Sequence, residues 1–325
     1  QVHRATAHDG ERLACKLQYP DMSSAVEADL NQLKTLFALH LQFSPAIDTQ
    51  DAAREIGERV REELDYAREA KHAALYSLML QGADNVRVPH VRQDLSTGRL
   101  LTLQWLDGRK LLDFKQADQE VRNRLAVAMF RAWWHPFSQY GVIHGDPHLG
   151  NYTVFEESGE AAGINLLDYG CVRIFPVQFI QGVVELYEGL LAHDEARIVH
   201  AYELWGFKGL RRDVIEVLNI WARFIYGPLL EDRVRTVADG IPPGQYGRRE
   251  MMQVVQELKA KGPVRIPQEF VFMDRAAIGL GAVFLHLDAK LNFCSLFNEA
   301  FGEAGRSPQA IEARQIQALA QTGLS

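Results

Sequence analysis

The chain has 325 residues, 47% hydrophobic and 24% charged, which fits a soluble globular protein of one or two domains with a substantial core. Its formal net charge of -7 speaks against a nucleic-acid partner, which needs a basic face. Cys15, Cys171 and Cys294 show no paired spacing for zinc or a disulfide framework and indicate a reducing, cytoplasmic setting, and the longest uncharged apolar run near the C-terminus, Ala276 to Leu285, is far short of the ~20 residues that cross a bilayer.

The chain opens Gln1-Val2-His3-Arg4, with neither an initiator Met nor a signal peptide, and reads as lacking an upstream segment. Two strands follow, turning through His8-Asp9-Gly10, and the second alternates Leu13, Cys15 and Leu17 with Lys16 on the opposite face. Ser24 and Glu27 form a capping box for a helix carrying Val26, Leu30, Leu33 and Phe37. After Pro45 the spacing predicts one long helix from about Asp51 to Leu80, with Ile56, Val60, Leu64 and Ala67 on one face and Glu62, Asp65 and Glu69 on another. Residues 86–92 and 99–105 read as a strand pair turning through Ser96-Thr97-Gly98, and Trp105 to Gly108 as a connector. From Asp118 onward the pattern is helical, and the clearest later loop runs from Val237 to Gly247. A small β-rich beginning, one connector and a large helical remainder make an α+β, two-lobed plan with an N-lobe over 1–104 and a C-lobe over 105–325.

The chemistry lies in His144-Gly145-Asp146-Pro147-His148-Leu149-Gly150-Asn151 followed by Leu166-Leu167-Asp168-Tyr169-Gly170. Asp146 suits a catalytic loop, where it would accept a hydroxyl proton or orient a nucleophile. Asn151, five residues on, offers an amide oxygen to a metal, and Asp168, after a short apolar strand, would bridge that metal to nucleotide phosphates. Either half alone would also suit a polar turn or a strand exit. Both in order, with residues 152–155 and 164–167 between them as a hairpin, form the pattern of a kinase. Lys16 would then reach the phosphates, with a carboxylate from the following helix holding its ammonium.

The chain resembles the UbiB-type (AarF) family of atypical kinases, which have a protein-kinase-like fold. Gln1 to Ala5 is similar to the end of that family's alanine-rich loop, Ala14 to Pro20 to its Lys-bearing strand, and Glu63-Leu64-Asp65-Tyr66 with Glu69-Ala70 to its Glu-x-Asp motif and helix glutamate; residues 144–151 and 168–170 complete the set. The resemblance implies ATP with Mg2+ or Mn2+: Lys16 on the phosphates with Glu69 as its ion-pair partner, Asp146 as the catalytic-loop Asp, and Asn151 and Asp168 as metal ligands. It places Leu103, Gln104 and Trp105 at the adenine hinge, with Glu63, Asp65, His144, His148 and Gly170 in support. Glu63 and Asp65 stand at i and i+2 and cannot both face one site from a regular helix. Either the helix breaks there or one of them turns away, and Asp65, sharing a face with Glu69, is the nearer to the phosphates. The family's Lys-x-Gly-Gln extension and most of its alanine-rich loop are not in this sequence.

The implied function is an ATP-dependent atypical kinase or ATPase that supports isoprenoid-quinone (ubiquinone) biosynthesis. A small-molecule phosphotransferase of the aminoglycoside or choline kinase type, or a nucleotide-binding pseudokinase scaffold, shares much of the pattern. Pro176 already opens a helix with Phe179, Val183, Leu186 and Leu190, so only Cys171 to Phe175 remain for a peptide platform. There is no Gly-x-Gly-x-x-Gly loop, and His148 stands where protein kinases place a Lys. The acceptor should therefore be small, or presented by a membrane or partner. The apolar positions Phe272, Ala276, Gly279, Ala282, Val283, Leu287 and Phe293 read as core packing or as a peripheral surface for lipid or quinone intermediates at an inner membrane.

Overall fold

A computed structural model describes residues 1–43, 57, 60–239, 252, 254, 256–257 and 267–324. Strands β1 (Val2–Thr6) and β2 (Arg12–Leu17) pair antiparallel, and β2 also pairs with a strand at Leu100–Gln104. The turn is where Asp9-Gly10 placed it: Gly10 adopts φ 89° and its N–H donates to the Ala7 carbonyl. The face of this sheet that meets the helix is the one bearing Lys16, opposite Cys15 and Leu17. Ala14, Leu101 and Leu103 pack on Tyr66 and Ala70, while Leu17 is 45% exposed. Residues i and i+2 share a strand face, so Lys16 lies with Ala14 on the side that meets the helix.

The first helix, Met22–Phe43, begins two residues before the expected Ser24 cap. The single long helix expected over 51–80 does not exist as such. Residues 61–63 are helical, Leu64 turns, and a new helix runs Tyr66–Met79. Asp65 is its N-cap, accepting a hydrogen bond from the Arg68 N–H at 2.9 Å. An Asp in this place satisfies a helix-end donor that otherwise has no partner. The part of that expectation around Ile56 lies outside the described residues.

The Tyr66–Met79 helix belongs to two cores. Tyr66 and Ala70 sit in the small cluster, whereas Ala73, Leu75, Tyr76 and Met79 sit in the large one with Leu125, Met129 and Trp133. The expected pairing of 86–92 with 99–105 is also only partial. Strand β3 (Val86–Arg87) pairs in parallel with a strand of the larger part, Glu160–Leu166, and the second predicted strand is β4 (Leu100–Gln104). What joins the two predicted segments is a bridge between Val91 and Leu103, with a 3-10 turn at Gln93–Leu95.

The larger part is organised by the Gln119–Tyr140 helix, which buries Leu125, Met129, Trp133 and Phe137 and stops at Gly141 in the left-handed region. It leads directly into β5 (Val142–His144). Strands β6 (Tyr152–Glu157) and β7 (Glu160–Leu166) form the expected hairpin, turning through Ser158 and Gly159 at positive φ. After Gly170, β8 (Val172–Ile174) pairs antiparallel with β5, and Pro176 caps a helix at Val177–Ala192. Residues 240–247 of the expected loop lie outside the described residues. Two helices, Gln268–His286 and Phe293–Phe301, carry the apolar stripe. Its members Ala276, Val283, Leu287 and Phe293 are buried in the large core and serve packing, whereas Phe272, Gly279 and Ala282 are only half-buried. No helix among the described residues is long and apolar enough to cross a membrane.

The β3–β7 seam is tight. The Ile164 N–H donates to the Asn85 carbonyl at 3.0 Å, and a Cβ at Gly163 would lie 2.1 Å from that oxygen. Gly163→Ala is expected to cost ~1–3 kcal/mol by overpacking. Gly98→Ala, where a Cβ meets nothing within 4 Å, should stay within ~0.5 kcal/mol. Urea denaturation of both variants checks this, and equal midpoints would refute the seam.

Candidate active site

The site is assembled from β2, the Tyr66–Met79 helix and the two loops that leave β5 and β7. From β2, the Lys16 ammonium donates to both Glu69 oxygens, at 2.8 and 2.9 Å, and to Asp168 Oδ2 at 3.0 Å. Glu69 is 2% exposed, one turn into its helix. Burial works against the Lys16 charge, but Glu69 and Asp168 outweigh it and hold its pKa above the ordinary value. Burial likewise pushes the Glu69 carboxyl up, with Lys16 opposing. At Asp168, burial pushes up but is overcome by Lys16 and by the Gly170 N–H at 3.0 Å, so its carboxyl lies below the usual range. Gly170 thus acts through its backbone.

Opposite stands the catalytic-loop pair. Asn151 Nδ2 donates to the Asp146 carbonyl at 3.1 Å and to Asp146 Oδ2 at 2.9 Å. The pairing Tyr152↔Leu166, with the Leu167 N–H donating to the Asn151 carbonyl at 2.9 Å, sets Asn151 and Asp168 at neighbouring strand ends. Asn151 Oδ1 accepts no hydrogen bond among the described residues. Together with the Asp168 carboxylate it is a hard-oxygen donor pair that fits Mg2+ or Mn2+. Among the described residues no group of three or more His, Cys, Asp or Glu forms a closed metal cage. Such a cation would need phosphate oxygens and water to complete its shell.

His144 ties the two loops together. The Asp146 N–H donates to its Nδ1 at 3.2 Å, so Nε2 carries the proton and donates to the Asp168 carbonyl at 2.7 Å. Full burial keeps this imidazole neutral by lowering its pKa. Its own carbonyl accepts from Trp133 Nε1 at 2.9 Å. His148 is exposed, and its Nδ1 caps the short turn at Leu149–Asn151 by accepting from the Gly150 N–H.

At the expected hinge, the Gln104 N–H donates to the His90 carbonyl and the Trp105 N–H to the Arg12 carbonyl, so neither N–H is free to donate to a nucleotide. The Leu106 N–H has no partner among the described residues and is the first open donor after β4. Glu63 and Asp65, on either side of the break at Leu64, are exposed, and neither is hydrogen-bonded to Lys16 or Asp168. The acidic residue that does reach the second loop is their neighbour Glu62, which accepts from Arg173 on β8 at 2.6 Å and from Arg68 at 3.0 Å. Sequence reasoning grouped Glu62 with the helix carboxylates, but only the break shows that it turns toward β8. Arg275 was also missed: its Nη2 lies 3.2 Å from Asp146 Oδ1, although nearly 130 residues separate them in sequence. No local signal marks such a pair.

A three-stranded sheet, a Glu-bearing helix, and two Asp-bearing loops on a mainly helical body are the parts of a protein-kinase-like fold. A family profile described as the ABC1 atypical kinase-like domain matches residues 1–202, and the chain belongs to that family. An uncharacterized protein of Synechocystis sp. is 27% identical over 308 residues, covering 91% of this chain and 49% of its own length. The mitochondrial atypical kinase COQ8B of Danio rerio is 23% identical over 317 residues, covering 95% and 49%. The mitochondrial atypical kinase COQ8 of Saccharomyces cerevisiae is 26% identical over 180 residues, covering 55% and 35%. The chain therefore spans half the length, or less, of these curated relatives. A solved structure of Rv3197 with erythromycin, from Mycobacterium tuberculosis, shares the fold, with TM-score 0.70 and 23% identity over 93% of this chain and 75% of that one.

One buried histidine near the site gives a pH test. The His72 Nδ1–H donates to the Tyr169 carbonyl at 3.1 Å while Nε2 has no partner among the described residues, and burial lowers its pKa to about 4. Between pH ~6.5 and 4 the unfolded chain takes up a proton at this residue that the folded chain refuses. Stability from His72 is thus complete above pH ~6.5 and falls with pH, by up to ~3 kcal/mol at pH 4. Urea midpoints measured from pH 7 to 4.5 should fall less steeply for His72→Gln than for the unaltered chain, and parallel curves would contradict the assignment.

Proposed function

We propose that the chain binds ATP with Mg2+ or Mn2+ and catalyses transfer or hydrolysis of the γ-phosphoryl group. The observation that supports this most directly is the Lys16–Glu69–Asp168 cluster facing Asp146 and Asn151. Lys16 would hold the phosphates, with Glu69 fixing its ammonium. Asn151 Oδ1 and Asp168 would hold the divalent cation, which supplies charge neutralisation at the β- and γ-oxygens. Asp146, its carboxylate oriented by Asn151, would accept the proton of the attacking hydroxyl. The Leu106 N–H would donate to the adenine at the end of the hinge formed by Leu103, Gln104 and Trp105. On this reading the N-lobe ends at about residue 104.

The acceptor surface supports a small or partner-presented substrate. β8 follows Gly170 almost at once and is hydrogen-bonded to β5, and the next helix starts at Val177. An extended peptide would find no platform there. The family resemblance directs this activity to isoprenoid-quinone biosynthesis with a lipid-like intermediate, at a membrane surface. A small-molecule phosphotransferase is the second reading, favoured by the same short segment and by the solved relative being a complex with erythromycin.

Asp168→Asn should weaken Mg2+-dependent ATP binding by at least ~10-fold, because it removes the charge that holds the cation, and should leave metal-free binding near the unaltered level. Calorimetric titrations with and without Mg2+ read this, and metal-independent affinity in both proteins would remove the assignment. Turnover is then measured with water, quinone precursors, phenolic lipids, aminoglycosides, erythromycin and a generic peptide. Stimulation by the phenolic lipids is expected, and strong stimulation by an aminoglycoside or amino alcohol alone would favour the second reading.

A further inference from the structure

Phosphoryl transfer places negative charge on three oxygens between donor and acceptor, and a site needs a cation or hydrogen-bond donors aimed there. The catalytic loop of this chain, residues 144–151, carries no Lys or Arg to supply that cation. The position two after Asp146 is His148, which is exposed and whose Nδ1 is engaged by the Gly150 N–H. Lys16 already faces the two carboxylates of Glu69 and Asp168. Arg173 is engaged by Glu62 at 2.6 Å.

Arg275 stands differently. Its guanidinium touches Asp146 Oδ1 at 3.2 Å, while the other carboxylate oxygen is held by Asn151. The side chain is 61% exposed, and Asp146 is its one hydrogen-bond partner among the described residues. Its other N–H groups are therefore available beside the carboxylate that would take the acceptor's proton. The backbone that carries it is fixed by neighbours. Asp274 accepts from Trp221 Nε1 at 2.6 Å, and Gly279 lies so close to Pro147 of the catalytic loop that a Cβ there would come within 2.4 Å of Pro147 Cγ. The Gln268–His286 helix and the catalytic loop are thus in register, with Arg275 at their junction.

We propose that Arg275 is a catalytic residue, the cation that contacts the transferring phosphoryl group in place of a catalytic-loop lysine. The proposal rests on the kinase reading above. In the step, the acceptor oxygen forms a bond to the γ-phosphorus and its proton passes to Asp146. The bond from that phosphorus to the bridging oxygen breaks, and its electron pair leaves with ADP. Arg275 hydrogen-bonds the equatorial oxygens as their charge is redistributed and keeps Asp146 oriented through Oδ1. An Arg serves here because its planar fork can span a carboxylate and a phosphoryl oxygen at once, which a lysine's point charge does less well.

The test compares binding of Mg2+-ADP with Mg2+-ADP plus aluminium fluoride, a mimic of the transferring phosphoryl, in the full chain and in Arg275→Met and Arg275→Lys. The exposure of Arg275 leaves folding intact, checked by the urea midpoint. Arg275→Met is expected to lose ~100-fold in affinity for the aluminium fluoride complex and less than ~2-fold for ADP, with Arg275→Lys in between. Added guanidinium ion at millimolar level should restore part of the loss in Arg275→Met. Equal affinities in all three proteins, or parallel losses for both ligands, would overturn the proposal, as would faster ATP turnover in Arg275→Met, which would make the contact a restraint. If the unaltered chain binds neither ligand, the nucleotide reading fails and this proposal with it. If it binds both and Arg275→Met does too, only the role of Arg275 fails.

Discussion

A carboxylate buried as deeply as Glu69 stays charged only with a cation against it, since desolvating the charge costs several kcal/mol. That single requirement orders the centre of the molecule. It draws Lys16 from the sheet, and Lys16 in turn draws Asp168 from the loop after β7. The Tyr169 N–H points at the same carboxylate from 3.4 Å, and the Tyr169 carbonyl accepts from His72 on the next turn of the helix. Sheet, helix and loop are thereby held at fixed distances by one charge and its two opponents.

The second brace is neutral. His144 joins the backbone of Asp146 to that of Asp168 through its two ring nitrogens, and its burial keeps it from charging. Around it pack Trp133, Tyr76 and Tyr169. Aromatic rings in that number exclude water from the backs of both loops, so polar groups at their tips are oriented by the protein and not by solvent.

Much of this was legible in the sequence because the motifs are short and local. The Asp9-Gly10 turn, the β6–β7 hairpin and the helix opened by Pro176 follow from residues within a few positions of one another. The Lys16–Glu69 pair was legible only through the family resemblance, since no periodicity connects a strand lysine to one of several helix carboxylates. Apolar spacing continues through the helix break at Leu64 and does not show it; only the i, i+2 placement of Glu63 and Asp65 raises a break as one of two outcomes, and capping by Asp65 decides for it. Which face of the first sheet packs on the helix was not legible from hydrophobicity, because Ala14 and Lys16 are a poor hydrophobic signal while Cys15 and Leu17 look like one. The pairing of β3 with β7 and the contact of Arg275 with Asp146 are long-range, and nothing within a sequence window encodes them.

The helix that spans both cores has a dynamic consequence. In many switchable enzymes the glutamate-bearing helix swings outward as a unit, and the off state is that displaced helix. Here Tyr76 and Met79 are locked among the side chains of the large core while Tyr66 and Ala70 serve the small one, and Lys71 reaches the Gly323 carbonyl at 2.7 Å. Swinging the helix would open both clusters together, at a cost comparable to partial unfolding. The glutamate is then a fixture and not a lever. A change that acts on what enters the cleft would leave both clusters closed.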